Sequence, residues 1–143
     1  MMRTFAQAID LKDNPEMIAR YVALHLKVPF EVTDALRAIG VHSMRIYRGG
    51  TRLFMLMEAD DDFDLARYQD YARLPGTSAW DTLMRGFQQP TPFAQPGEWW
   101  SPLEEVFDLA AFPRRAQRDM DSASLRALFP DDPHIGDWLR SHG

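Results

Sequence analysis

Two runs of strand-forming residues joined by a glycine pair constrain the fold of this chain most strongly. The runs are VHSMRIYR (41–48) and TRLFMLMEA (51–59), with Gly49-Gly50 between them. Such runs favour β-strands, and a two-residue glycine link is typical of a tight hairpin. The chain is therefore expected to contain an antiparallel sheet.

The residues before the hairpin predict a strand followed by helix. RTFAQAIDL (3–11) places its apolar side chains on one side of an extended chain. Asn14-Pro15-Glu16 is typical of a helix start, with an N-cap, a first-turn proline and an acid near the positive end of the dipole. This helix is predicted to run to about Val28. A second helical piece follows Pro29 and stops at Gly40, a C-cap residue.

The residues after the hairpin predict a helix and a last strand. The acids of DDDFD (60–64) favour the start of the next helical pattern. After a break at Leu74-Pro75-Gly76, a helix is expected over about 77–87. The proline-rich loop FQQPTPFAQPGEWWSP (87–102) leads to PLEEVFDLA (102–110), predicted as the final strand.

This element order predicts an α+β fold, the ferredoxin-like β-α-β-β-α-β sheet with helices on one face. Nothing in the chain is expected to cover the other face, which predicts a homodimer. Residues 1–110 form the predicted domain. Residues 111–143 form a tail with two short helix candidates, near 122–129 and 133–141, expected to dock on the domain or the partner subunit.

Composition excludes several classes of protein. The 143 residues include no cysteine, which excludes disulfide scaffolds, thiolate metal sites and cysteine nucleophiles. The net charge of −5 argues against nucleic-acid binding, which depends on neutralising phosphates. No signal peptide and no apolar stretch of about 20 residues is present, so no membrane partner is expected and the predicted location is cytoplasmic.

General acid/base chemistry is the reaction type that the remaining polar residues support. His25 lies one helical turn after Tyr21 on an apolar face, and Glu31 follows the interruption at Pro29. A neutral imidazole can donate and accept a proton near pH 7. Spacing alone favours the interpretation of Tyr21 and His25 as hydrogen-bonded core residues over a catalytic role. The four histidines lack zinc-ligand spacing, and neither a phosphate-binding glycine loop nor GxSxG is present, so no metal is expected.

Aromatic residues add a second indication. Trp80 lies among polar neighbours in a predicted helix, and Trp99-Trp100 close the proline-rich loop. A flat ring beside hydrogen-bonding groups suits the C–H face of a sugar, which makes Trp80 and Trp100 candidate substrate-binding residues. Each tryptophan is alternatively a core or dimer-interface residue.

These residues resemble the L-rhamnose mutarotase family, in particular its L-fucose mutarotase-like branch. Five places within residues 3–109 carry the resemblance. They are Tyr21-x-x-x-His25, the segment IGVHSMRIYRGGTRLFMLMEADDDFD, Trp80 followed by Leu83-Met84, the run FQQPTPFAQPGEWW, and EEVFDL.

The resemblance implies a ferredoxin-like dimeric α/β barrel that interconverts the α and β pyranose anomers of a 6-deoxy-L-hexose without metal or cofactor. It implies that His25 is the proton donor and that Tyr21 binds the sugar. The expected catalytic role of Tyr21 is to orient the sugar or to relay a proton. The rhamnose branch has a tyrosine at the position of Met44 and a Trp-Trp pair at Trp80-Asp81. The fucose-like branch has Met and a single Trp at these positions, so both differences favour that branch. The family usually reads Trp-Pro-Glu where this chain has Pro29-Phe30-Glu31, so Glu31 stands at the position of the family's Glu.

The expected role of Glu31 is to hold sugar hydroxyls or to fix the tautomer of His25. Two other functions remain open from sequence. One is a cofactor-free monooxygenase of the same architecture, and the other is a non-catalytic sugar-binding or stress-related barrel module.

Overall fold

A computed structural model describes residues 2–64, 66–112, 127–128 and 130–142 of the chain. By its internal contacts the chain divides into two compact units, residues 1–105 and residues 106–143. Each unit is described by itself below.

The predicted hairpin and first strand form the centre of the sheet. Strand β1 is Met2–Leu11, β2 is Val41–Gly49 and β3 is Arg52–Asp60. β3 pairs antiparallel with both neighbours, so that Ala8 and Tyr47 both lie opposite Phe54. Gly50 turns the hairpin with φ +60°, a conformation that favours glycine. The hairpin prediction is confirmed.

Two helices connect β1 to β2. Helix α1 is Pro15–Leu24, and its N-cap Asn14 accepts hydrogen bonds from the backbone N–H groups of Glu16 and Met17. Helix α2 is Phe30–Ala38. The expectation that α1 runs to Val28 is wrong, because the backbone tightens after Leu24 into bonds that span three residues. Pro29 then begins a new helix.

Two further helices follow the hairpin. Helix α3 is Arg67–Arg73 and helix α4 is Pro75–Arg85. Leu74 between them is extended, as the residue before a proline prefers. α4 therefore begins two residues earlier than the predicted 77, with Pro75 in its first turn.

The last strand is shorter than expected and lies earlier in the chain. Two short strands, β4 (Gln88–Gln89) and β5 (Ser101–Pro102), pair with β1 opposite Asp10–Leu11 and Gln7–Ala8. The predicted strand over 102–110 is wrong, because after Leu103 the chain leaves β1 and its side chains are exposed. The sheet order is β2-β3-β1-β4, with β5 also on β1, which confirms the ferredoxin-like α+β class.

The sheet has one covered face and one open face. Leu53, Met55, Met57 and Ala59 alternate along β3 on the covered face and are buried, whereas Phe54 and Leu56 between them are exposed. Two core clusters lie on the covered face. One surrounds Ile9, Leu11, Tyr21, Leu53 and Met84, and the other surrounds Val41, Met57, Ala59 and Phe63.

The second unit contains a short 3-10 helix and a C-terminal helix. The 3-10 helix, Leu109–Ala111, follows the capping residue Asp108, and the rings of Phe107 and Phe112 stack with centroids 5.5 Å apart. The C-terminal helix is Pro133–His142, as predicted from Asp132-Pro133. Of the predicted helix at 122–129, only 127–128 belong to the described residues, and these are helical.

Candidate active site

A cleft of about 980 Å³ lies between the covered face of the sheet and the helices of the first unit. Five of the six residues singled out from the sequence line it, and they come from α1, β2, α4 and the loop before β5. They are Tyr21, His25, Met44, Trp80 and Trp100. Residues separated by up to 79 positions in sequence thus share one cavity, and Glu31 is the one candidate that lies elsewhere.

His25 occupies the end of α1 with one ring nitrogen already bonded. Its Nδ1 lies 2.8 Å from the carbonyl oxygen of Tyr21. A carbonyl can only accept, so Nδ1 carries a proton and donates it. In the neutral imidazole this leaves Nε2 as an acceptor, and in the imidazolium Nε2 is a donor. The side chain is therefore prepared to exchange a proton through Nε2.

Tyr21 is almost completely buried beside His25, with 3% of its surface exposed. The two ring centroids are 4.5 Å apart. Burial raises the pKa of Tyr21 above its ordinary value, and the hydrogen bond from Gln88 offsets part of this rise. Tyr21 is consequently a neutral phenol at physiological pH and can donate its proton.

Aromatic and thioether side chains form the walls near this pair. Trp80 meets the imidazole of His25 edge to face, with centroids 5.4 Å apart. Trp80, Trp100 and Met44 are each partly buried. Met44 lies on β2 opposite Met57, on the covered face of the sheet. Apolar surface thus surrounds a small number of polar groups, as in carbohydrate and other small-molecule sites.

Two residues that sequence reasoning did not select, Gln88 and Trp99, contact the site. The Nε2 of Gln88 donates to the hydroxyl of Tyr21 at 3.2 Å, and the indole N–H of Trp99 donates to the Oε1 of Gln88 at 2.9 Å. Both residues lie in the proline-rich run that carries the resemblance, but no local pattern marks a glutamine there as functional. The contact between Gln88 and Tyr21 spans 67 residues of sequence.

The loop that carries Trp99 is fixed at both ends. The hydroxyls of Thr91 and Ser101 hydrogen-bond at 2.9 Å and are buried. Glu98 accepts a bond from the backbone N–H of Gln95 at 2.8 Å, and Gly97 turns the chain with φ +85°. The turn at Gln95-Pro96-Gly97-Glu98 therefore holds Trp99 and Trp100 in defined positions.

Glu31 does not join the other candidates. It lines a separate, shallow depression together with Pro29, Gly76 and Trp80. Its carboxylate lies against Gly76 near the N-terminus of α4, so close that a Cβ on Gly76 would overlap it. Trp80 lines both the depression and the cleft, so it is the residue that the two sites share.

A charged cluster includes a further residue that lines the cleft. His42 lines the cleft and donates from Nε2 to Asp60, whose other carboxylate oxygen accepts from Arg67 at 3.4 Å. These bonds, first that of His42, lower the pKa of Asp60. The cluster joins the end of β3 to α3.

Two absences can be stated for the part of the chain that the structure describes. No three histidine, aspartate or glutamate side chains converge there in a way that could hold a metal ion. Among the same residues, no helix has the length and apolar character needed to cross a membrane.

Comparison with known proteins identifies similar sequences. The family model for L-rhamnose mutarotase matches residues 4–109. An L-fucose mutarotase of Xanthomonas campestris is 35% identical over 112 residues, covering 76% of this chain and 90% of that protein. A UPF0734 protein of Dictyostelium discoideum is 45% identical over 115 residues, covering 77% of this chain and 92% of that protein.

Solved structures with the same fold are more distant in sequence. The crystal structure of L-rhamnose mutarotase FA22100 from Formosa agariphila aligns with a TM-score of 0.56 at 22% identity, covering 75% of this chain and 98% of that one. Tetracenomycin F2 cyclase from Streptomyces glaucescens, a type-II polyketide cyclase, aligns with a TM-score of 0.50 at 23% identity, covering 74% and 95%. Both similarities concern the fold alone.

Proposed function

Because this chain belongs to the L-rhamnose mutarotase family and is a sugar mutarotase, we propose that its substrate is a 6-deoxy-L-hexose, L-fucose first and L-rhamnose next. The observation that carries this proposal is the meeting of Tyr21, His25 and Trp80 in one largely apolar cleft. The similarity to an L-fucose mutarotase supports L-fucose as the first choice.

Mutarotation requires two proton transfers in each direction. The anomeric hydroxyl loses its proton as the C1 carbonyl forms, and the ring oxygen gains a proton as its bond to C1 breaks. Rotation about the bond between C1 and C2 exposes the other carbonyl face, and the reverse transfers close the ring. Protons balance over the cycle, so neither an oxidant nor an electron carrier takes part.

His25 is the proposed proton-exchanging residue. Its Nδ1 is committed to the Tyr21 carbonyl, so the proton moves through Nε2. As the neutral base, His25 takes a proton from the sugar, and as the imidazolium it donates that proton back when the ring closes. Acid/base groups held in position typically accelerate such transfers by about 10²–10⁴.

The remaining candidates are proposed to hold the sugar. Trp80 and Trp100 present flat apolar surface to the C–H face of the ring, and Met44 lies on the wall formed by β2. The methyl group of a 6-deoxy sugar suits such a wall better than a hydroxymethyl group does. Glu31 is proposed to act indirectly, because its contact with Gly76 at the start of α4 helps to place Trp80.

The test is an anomer-exchange measurement on purified protein with L-fucose, L-rhamnose and L-galactose. L-galactose differs from L-fucose only by a hydroxyl on the methyl carbon, so it is a matched control for the apolar wall. We expect exchange faster than in buffer for L-fucose and slower catalysis for L-galactose. Equal rates for these two sugars would contradict the proposed 6-deoxy preference.

The proposed assembly is a homodimer formed through the open face of the sheet. Tyr47, Phe54 and Leu56 are 53%, 43% and 41% exposed and lie on adjacent strands of that face. Apolar side chains grouped on a sheet in this way are typical of a protein interface. A second copy offers the same surface, as a two-fold interface requires.

The alternatives raised from the sequence are not favoured. Family membership supports an isomerase acting on sugars over a monooxygenase, and over a barrel module that only binds. The structural similarity to a polyketide cyclase is at the level of the fold and carries no statement about substrate.

A further inference from the structure

The amide of Gln88 is held between an indole and a phenol in a fixed orientation. Gln88 is 5% exposed, so water competes little for its polar atoms. The indole nitrogen of Trp99 is a donor only, and it lies 2.9 Å from the Oε1 of Gln88. The oxygen must therefore face Trp99, which turns the NH₂ group toward the hydroxyl of Tyr21, 3.2 Å away.

This orientation determines which way the proton of Tyr21 points. The hydroxyl oxygen accepts from Gln88, so its own proton cannot point at the same NH₂ group. Within the described residues the hydroxyl makes no other hydrogen bond, and Tyr21 lines the cleft. The proton is thus available to a ligand oxygen in the cleft. An amide turned the other way would accept that proton and remove it from the ligand.

We propose that Gln88, oriented by Trp99, is a positioning residue that makes Tyr21 the acid of ring opening. The assignment rests on the proposed mutarotase function and completes it, since His25 supplies only one of the two transfers. Neutral His25 takes the anomeric proton at Nε2 while Tyr21 gives its proton to the ring oxygen. Both transfers reverse when the ring closes, so the two side chains return to their starting states.

The NH₂ group of Gln88 also assists the transfer itself. A hydrogen bond donated to the phenol oxygen favours the phenolate that remains when the proton leaves, and this bond lowers the pKa of Tyr21 against the effect of burial. Removing the amide therefore withdraws both the orientation and the stabilisation of the phenolate.

Two variants test the proposal by separating kcat from KM. Trp99→Phe removes the N–H that orients the amide, at a position that does not line the cleft. Gln88→Met removes the amide at nearly constant shape. We expect kcat for anomer exchange to fall about 10²-fold in Gln88→Met and less in Trp99→Phe, with KM for L-fucose nearly unchanged. A loosened cleft would instead raise KM.

Gln89→Met is the matched control, because Gln89 is the adjacent residue of β4, is exposed and bonds weakly to the Leu11 carbonyl at 3.4 Å. It should keep the wild-type kcat. Full kcat in a folded Trp99→Phe and a folded Gln88→Met would overturn the assignment, as would equal losses in Gln88→Met and Gln89→Met. If Gln88→Met does not fold, Trp99→Phe decides alone, since an unchanged kcat there also overturns it. Absence of exchange in the wild-type protein would instead refute the mutarotase proposal.

Discussion

At the scale of single residues, the proposed mechanism depends on hydrogen bonds that occupy some polar atoms of the site and leave others for the sugar. The Nδ1 of His25 is bonded to the carbonyl of Tyr21, which leaves Nε2 for the sugar. The hydroxyl oxygen of Tyr21 accepts from Gln88, which leaves its proton for the sugar. One side chain therefore presents an acceptor and its neighbour presents a donor.

Trp80 is expected to contribute binding energy rather than proton transfer. Replacing it by Leu removes the flat ring that is proposed to face the sugar, and stacking contacts of aromatic rings contribute about 0.5–1.5 kcal/mol beyond area burial. We expect Trp80→Leu to raise KM for L-fucose by up to about tenfold, with a smaller effect on kcat. Steady-state exchange measurements check this. Trp80→Phe keeps a flat ring and should retain KM near the wild-type value. A KM unchanged in Trp80→Leu would remove Trp80 from the binding site.

Sequence reasoning found the residues whose chemistry is visible locally. Tyr21 and His25 stand one helical turn apart, and their shared face follows from that spacing alone. Gln88 and Glu31 show the limit. Gln88 reaches the site by a contact across 67 residues, and Glu31 lines a separate depression because of the relative placement of α2 and α4. Neither placement depends on a local pattern.

At the scale of elements, helix caps and turns were the features from which the positions of helices and strands could be predicted. Asn14-Pro15 and Gly49-Gly50 each act through backbone conformation and hydrogen bonds within a few residues, and both predictions are confirmed. The prediction of the last strand was wrong because strand-like composition in 102–110 does not by itself produce pairing, and in this part of the chain only Ser101–Pro102 pair with β1. Whether a segment joins a sheet depends on tertiary context more than on its own β-propensity.

Gly40 ends α2 at a position where only glycine fits. It has φ +102°, and a Cβ there would lie 2.5 Å from Oδ2 of Asp60 and 2.7 Å from Nη1 of Arg67. We expect Gly40→Ala to lower the free energy of unfolding by about 1–3 kcal/mol, through backbone strain and displacement of the ion pair. Urea denaturation measures this. Gly49→Ala is the control, since nothing lies within 4 Å of its added methyl. Equal stability of the two variants would contradict the strain argument.

The cluster of His42, Asp60 and Arg67 makes stability depend on pH. Its bonds lower the pKa of Asp60 in the folded protein, so Asp60 stabilises the fold above the carboxyl's ordinary pKa. This contribution is lost as the pH falls through the lowered pKa and the carboxylate is protonated. We expect Asp60→Asn to be less stable than the wild type at pH 7, with the difference shrinking in acid. Thermal melts across pH measure it, and a difference independent of pH would be inconsistent with the ion pairs.

At the scale of the whole molecule, the two faces of the sheet have different proposed roles. The covered face carries the cleft, and the open face carries Tyr47, Phe54 and Leu56. A dimer formed through the open face would bury apolar surface and leave the cleft of each protomer on the opposite side of its sheet. The assembly is thereby expected to support the site without covering it.

Phe54→Asp tests the proposed dimer. A carboxylate at the centre of an apolar two-fold interface faces its own copy, and burying unpaired charges is strongly unfavourable. We expect sedimentation analysis to show a dimer for the wild type and a monomer for Phe54→Asp. Phe30→Asp changes an aromatic side chain of α2 that is 84% exposed, away from the sheet, and should leave the dimer intact. A monomeric wild-type protein would refute the interface.

The central claim is that His25 transfers protons to and from a sugar bound in the cleft, and anomer-exchange NMR with L-fucose tests it most directly. The wild-type protein should accelerate exchange over buffer, and His25→Ala should lose about 10²–10⁴ in kcat while keeping the wild-type melting temperature. His134→Ala, at an exposed position of the C-terminal helix, should behave as the wild type. A folded His25→Ala that exchanges L-fucose anomers at the wild-type rate would contradict the account.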